Sequence, residues 1–160
     1  MSSSAVRISP LSEISPFMLE CMKDGLAVTI AVNGRSMTPL LRDKRDAAVL
    51  QKPLEDAPLN VGDVPLYLRD SGQYVLHRVV SVQPDGCYTM MGDNQTVREP
   101  GIRHDQILAV AAAFYRGKKI ISADSSGYKR YVWMWLHCPP CRYLWVFASR
   151  IIGKIKFRPE

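Results

Sequence analysis

The chain has no stretch of about 18 residues free of charge and proline, so no segment reads as an ordinary membrane-spanning helix. Its start, Met1-Ser-Ser-Ser-Ala-Val-Arg7, lacks a basic region followed by an apolar run, and a secretory signal peptide is not expected. Four cysteines (Cys21, Cys87, Cys138 and Cys141) without dense spacing do not make a disulfide framework. The expected setting is therefore cytoplasmic, with reduced thiols. No internal repeat of about 20–50 residues occurs, and no low-complexity segment, which excludes solenoids and fibrous classes. Acidic residues are nearly missing from the C-terminal part: residues 114–160 hold ten bases against two acids, a charge of +8, whereas residues 1–113 carry −2. What is present is 160 residues, 47% of them hydrophobic, enough for one domain with a real core and too apolar for a disordered chain.

Local patterns divide the chain into a mainly β body and a different tail. Residues 11–24 read as a short helix, with Ser15 as a cap, Pro16 in the first turn and Gly25 as the stop. From Leu26 to Val32 the run is β-branched and free of breakers, so a strand follows. Further strands are expected at 47–51, 64–69, 74–82, 87–91 and 107–115, separated by the turn sequences Asn60-Val-Gly-Asp63, Asp70-Ser-Gly72, Pro84-Asp-Gly86 and Gly92-Asp-Asn94. Ser122–Gly127 reads as a linker, which sets a body at 1–121 and a tail at 122–160. All three tryptophans lie in that tail, where Leu144, Ala148, Ile151 and Ile155 share one helical face and Arg150, Lys154 and Arg158 line another edge. This is a basic amphipathic helix.

Two residues stand out chemically. Ser36 lies in Asn33-Gly-Arg-Ser-Met-Thr-Pro39, directly after a strand, where Gly34 permits a tight turn that presents the next side chains. A serine needs a base to become a nucleophile. Of the three histidines, His77 sits inside the apolar strand Val75-Leu-His-Arg-Val-Val80, where imidazole packs no better than Leu or Val. Neighbouring strands that brought Ser36 and His77 together would activate the hydroxyl. The plain alternative is a strand histidine satisfied by its neighbours.

Four blocks in order, Gly34-Arg-Ser-Met-Thr-Pro39, Val61-Gly-Asp-Val64, His77-Arg-Val-Val80 and Gly92-Asp-Asn94, resemble the signal peptidase superfamily. They are most similar to its serine–histidine branch, the archaeal and endoplasmic-reticulum type. The superfamily also includes LexA-like self-cleaving repressors. The resemblance covers residues from about Val28 to Ala113. It implies a mainly β catalytic domain of coiled, bent sheets and endoproteolysis through an acyl-enzyme, often after small side chains. It implies Ser36 as nucleophile, with its N–H in the oxyanion site, and His77 as general base, and it calls for no metal or organic cofactor. The substrate would be a peptide or precursor protein.

Three positions depart from the family's pattern. The carboxylate that orients the histidine has no fixed counterpart: Glu99 stands at the corresponding distance and ranks first, Asp93 second and Asp105 third, with Asp93 better suited to bracing its turn. The loop Asp43-Lys-Arg-Asp46 keeps Asp46 but lacks the usual glycine. No N-terminal spanning helix is evident. Cys138-Pro-Pro-Cys141 has zinc or redox spacing, but no second pair accompanies it, and a proline-broken kink is the favoured reading. Cys21 and Cys87 are expected in the core. The tail's aromatics cluster from Tyr131 to Phe147 and are not interleaved with bases, which argues against nucleic acid and for peripheral contact with a membrane surface. A tail folded back on the body is the plainer alternative. The competing functions are a catalytically inactive peptide-binding module of the same fold and a self-cleaving LexA-like regulator. The latter is disfavoured because no DNA-binding helix pair precedes the domain.

Overall fold

The change of pattern at Gly25 is where the first helix ends. The computed structural model describes residues 11–53 and 57–155. Helix α1 spans Leu11–Lys23. Gly25 takes a left-handed conformation (φ 78°), and the N–H groups of Gly25 and Leu26 bond back to the carbonyls of Met22 and Cys21. This pairing satisfies carbonyls that the helix end leaves open. The start differs from expectation: Ser15 and Pro16 lie inside α1, which begins at Leu11. Met18 and Met22, one turn apart, are buried and pin the helix to the body. Each such side chain contributes roughly 1.5–3 kcal/mol of transfer free energy.

Among the described residues the body is mainly β, with a curled half-barrel sheet. Its strands are β1 (Val28–Ala31), β2 (Asp46–Gln51), β3 (Pro65–Leu68), β4 (Tyr74–Leu76), β8 (Ile107–Arg116) and β9 (Lys119–Ser122). The order is β1-β2-β8-β3-β4, all antiparallel, and β8 is long enough to pair β3 through its first half and β9 through its second. Register shifts at Val49/Leu50 and Leu66/Tyr67 add local twist and curl the sheet. A second sheet holds β5 (Arg78–Val82), β6 (Tyr88–Met91) and β7 (Glu99–Ile102).

The expected strand at 74–82 is two strands. Leu76 pairs with Leu66 in the first sheet, while Arg78 pairs with Met91 in the second. One continuous apolar run thus serves both sheets, and His77 stands at the corner between them. Strands β7 and β9 had no local signature. Glu99-Pro-Gly-Ile102 contains the two residues least suited to a strand, and it is held at a sheet edge, where a proline's missing N–H is tolerated.

The tail is two helices, α2 (Ser126–His137) and α3 (Pro139–Ile155). The expected linker stops at Ser125, whose hydroxyl accepts from the Tyr128 N–H as the N-cap of α2. Tyr128 completes the core of the first sheet, so body and tail share apolar contacts. The expected break at Cys138-Pro-Pro-Cys141 separates the helices, and Cys138 and Cys141 are joined as a disulfide, contrary to the expectation of reduced thiols. That bond also removes both sulfurs as zinc ligands. Cys21 and Cys87 are free but only half-buried, not the core residues expected.

Candidate active site

Ser36 is held on a loop anchored on both sides. Gly34 has φ 99°, and its N–H donates to Asp43 Oδ1 at 2.8 Å, which closes the turn after β1. Met37, Leu40 and Leu41 are buried just beyond, leaving Ser36 half-exposed above them. Asp46 secures the far end: it accepts from the N–H of Arg42, from the Arg42 guanidinium at 2.8 and 2.9 Å, and from the N–H of Gly117. Those Arg42 hydrogen bonds hold its carboxyl down to about 2, against the cost of burial. Within this glycine-free loop Lys44 takes the left-handed conformation (φ 56°) and donates its N–H to the Val32 carbonyl.

Strand pairing carries His77 to this loop. The register ends at Arg78↔Met91, so His77 directly precedes this last pair on one strand and Gly92 directly follows it on the other. Gly92 in turn lies against Ser36: a Cβ at Gly92 would stand 2.7 Å from the Ser36 carbonyl oxygen. The Asn94 N–H donates to that same oxygen at 2.7 Å. Glycine is required here by close backbone approach. Among the described residues no hydrogen bond joins the Ser36 hydroxyl to His77. Catalytic hydrogen bonds are often long in unliganded sites and tighten with substrate.

His77 is buried, and its Nδ1 faces a hydroxyl and a carboxylate. The Tyr67 hydroxyl donates to Glu99 Oε2 at 2.7 Å and lies 3.3 Å from His77 Nδ1, while Glu99 Oε2 is 4.0 Å from that nitrogen. Because Tyr67 spends its one proton on Glu99, its oxygen is the acceptor toward His77. Nδ1 then carries the hydrogen and Nε2 the lone pair. Burial pushes the imidazole down to about 4, opposed by the negative charge of Glu99, so His77 is neutral at neutral pH. Glu99 is fixed by Arg69, whose Nε and Nη2 donate to its two oxygens at 2.6 Å each. The Arg69 guanidinium keeps Glu99 below the usual carboxylate range, and hence ionised.

Asp93 has another role in the geometry. Its two carboxylate oxygens accept from Arg78 at 2.8 and 2.7 Å, and Tyr131 of α2 adds a third hydrogen bond at 2.9 Å. Both members of the pair are fully buried, and Arg78 also donates to the Gly62 carbonyl and the Tyr128 hydroxyl. No hydrogen bond or ion pair joins Asp93 to His77 among the described residues. Asp105, the third-ranked carboxylate, is exposed and paired with Arg103. The structure therefore brings Glu99 to His77 and places Asp93 as the tie between the second sheet and the tail.

The tail completes the enclosure of the 92–95 turn. Trp135 Nε1 donates to the Asp93 carbonyl, Arg142 Nη2 to that of Gln95 at 3.0 Å, and the Ser149 hydroxyl to Asn94 Oδ1 at 2.8 Å. These contacts explain why α3 buries Arg142, Val146 and Ser149 rather than the apolar face expected from its sequence. The hydrogen-bonding needs of the turn select the inner face. Tyr67, Arg69, Arg78 and Arg142 were not marked by sequence reasoning. Arg78 alone carried a signal, as a charge inside an apolar strand with an acidic turn downstream.

A cavity of about 530 Å³ opens beside Glu99 and Arg69, walled by Gln95–Pro100. A larger groove of about 1070 Å³ lies between the 57–64 loop and α2, and neither cavity is lined by Ser36 or His77. The smaller cavity is the one that adjoins the titratable cluster. Among the described residues no helix is long and apolar enough to cross a membrane. No family model, no characterised protein and no solved structure matches the chain.

Proposed function

We propose that the chain is a serine endopeptidase of the signal-peptidase type, with Ser36 as nucleophile, His77 as general base and Glu99 as the carboxylate that orients it. The observation that carries this reading is the state of His77. It is neutral, with Nδ1 turned to Tyr67 and Glu99, and Nε2 free to accept a proton. The Ser36 carbonyl lies against Gly92, which directly follows the Met91 that pairs with Arg78.

In the reaction, Ser36 Oγ attacks the peptide carbonyl carbon while its proton passes to His77 Nε2. The resulting imidazolium is stabilised by Glu99 through Tyr67, and the Ser36 N–H stabilises the oxyanion. Collapse breaks the C–N bond, and His77 returns the proton to the leaving amine. Water then gives a proton to His77 and attacks the acyl carbon. The acid product leaves as the proton returns to Ser36 Oγ. The substrate is a peptide or precursor protein that enters beside the 95–100 loop.

A fluorophosphonate probe tests this directly, with intact mass as readout. Wild-type protein is expected to gain one adduct on Ser36, and Ser36→Ala none. His77→Ala should label about 10²–10⁴-fold more slowly while remaining folded. Unlabelled wild type would instead favour an inactive peptide-binding module, and undiminished labelling of His77→Ala would refute the pair.

A further inference from the structure

Helix α3 has two faces with different tasks. Its inner positions Arg142, Val146 and Ser149 are buried against the 92–95 turn and locked there by hydrogen bonds. Its outer positions Tyr143, Leu144, Phe147 and Ile151 are 58%, 69%, 65% and 44% exposed. Their spacing of three and four residues makes one continuous stripe, of the kind a helix normally hides. Since polar contacts fix the inner face, α3 has no rotation available that would bury the stripe under the body.

Charge identifies the occupant. Apart from the buried Arg142, the sequence from Ser126 to Ile155 contains the bases Lys129, Arg130, Arg150 and Lys154 and not one aspartate or glutamate. A second copy of the chain would bring two such basic surfaces together, which like-charge repulsion opposes. A nucleic acid would meet aliphatic and aromatic side chains where it needs bases spaced along the stripe. An anionic lipid surface matches both features, because apolar side chains enter the headgroup–acyl boundary while each base near the leaflet adds about fivefold in affinity. Trp145, 38% exposed at the edge of the stripe, stands where an indole suits the interface.

We propose that the outer face of α3 docks on an anionic membrane surface, with the helix lying in the interface plane and the β body held above it. This goes beyond the peptidase reading and stands or falls separately, because its test needs no turnover. The full chain is sedimented with phosphatidylcholine–phosphatidylserine vesicles and with pure phosphatidylcholine vesicles. Binding is expected only to the former, to weaken with added salt, and to fall at least about tenfold in Leu144→Ser/Phe147→Ser. That double variant should keep the wild-type melting temperature, since both side chains lie outside the fold. Absence of binding to the anionic vesicles overturns the proposal, as does equal binding by the double variant. A wild-type dimer that the double variant abolishes would assign the stripe to a second copy, and a large loss of melting temperature in that variant would overturn its outward placement.

Discussion

Asp93→Asn and Glu99→Gln remove the same charge from two neighbouring parts of the molecule, and the structure assigns them opposite consequences. Asp93 and Arg78 are each 1% exposed at the side chain, and loss of the carboxylate charge strands a buried guanidinium. Breaking such a pair costs about 3–5 kcal/mol. For a chain of 160 residues, at about 2–4 °C per kcal/mol, the melting temperature should fall by roughly 6–20 °C. Glu99 and Arg69 are 28% and 30% exposed, so water screens their pairing. Its loss should cost at most about 1 kcal/mol, which is no more than about 4 °C. Reactivity should invert the order. Without the Glu99 charge the imidazolium at His77 loses its stabilising partner, and probe labelling at Ser36 should slow by about 10²–10⁴-fold. Asp93→Asn, assayed well below its own melting temperature, should label within about tenfold of wild type, because no hydrogen bond ties Asp93 to His77. Differential scanning calorimetry and timed intact-mass labelling measure the two quantities. A well-folded Asp93→Asn that fails to label, beside a Glu99→Gln that labels normally, would refute the assignment of the carboxylates.

The pH dependence of stability follows from His77. Its folded value of about 4 lies below the ordinary imidazole value of 6.5, so the unfolded chain binds more protons between those limits. Stability should rise with pH across that window, by up to about 3 kcal/mol. Urea titrations from pH 4 to 7 should show that rise in wild type and its reduction in His77→Gln, and an unchanged slope in the variant would show that His77 is not the group responsible. Gly92→Ala would set a methyl group 2.7 Å from the Ser36 carbonyl oxygen, and relieving that overlap should cost about 1–3 kcal/mol. Labelling at Ser36 should slow with it; wild-type melting and labelling together would remove the close approach from the account.

Much of the fold was legible because it rests on local chemistry. Gly25 ends α1 through a left-handed turn, and Ser36 appears on the loop after β1 where a glycine precedes it. The strands marked by β-branched runs and bounded by turns were found within a few residues. Elements that exist only through their partners were not. Strand β7 contains proline and glycine and is held by its pairing with β6. The break at His77 carries no turn or breaker signal within residues 74–82, because it depends on which sheet each half joins.

The same division runs through the site and the tail. The sequence by itself determined that a serine follows a strand and a tight turn, that one histidine interrupts an apolar run, and that the basic charge and the tryptophans gather at one end. Residue types and spacing suffice for those features. Only the tertiary structure decided that Glu99 lies beside His77 while Asp93 neutralises Arg78, because three carboxylates close in sequence are separated by distances that strand pairing sets. It also decided which face of α3 is buried. The apolar stripe was readable, but the body meets that helix with the Gln95 carbonyl and the Asn94 side-chain amide oxygen of a turn, which accept hydrogen bonds from Arg142 and Ser149. Where a buried surface is polar, its hydrogen-bonding needs outweigh the apolar pattern, and the stripe is left facing outward.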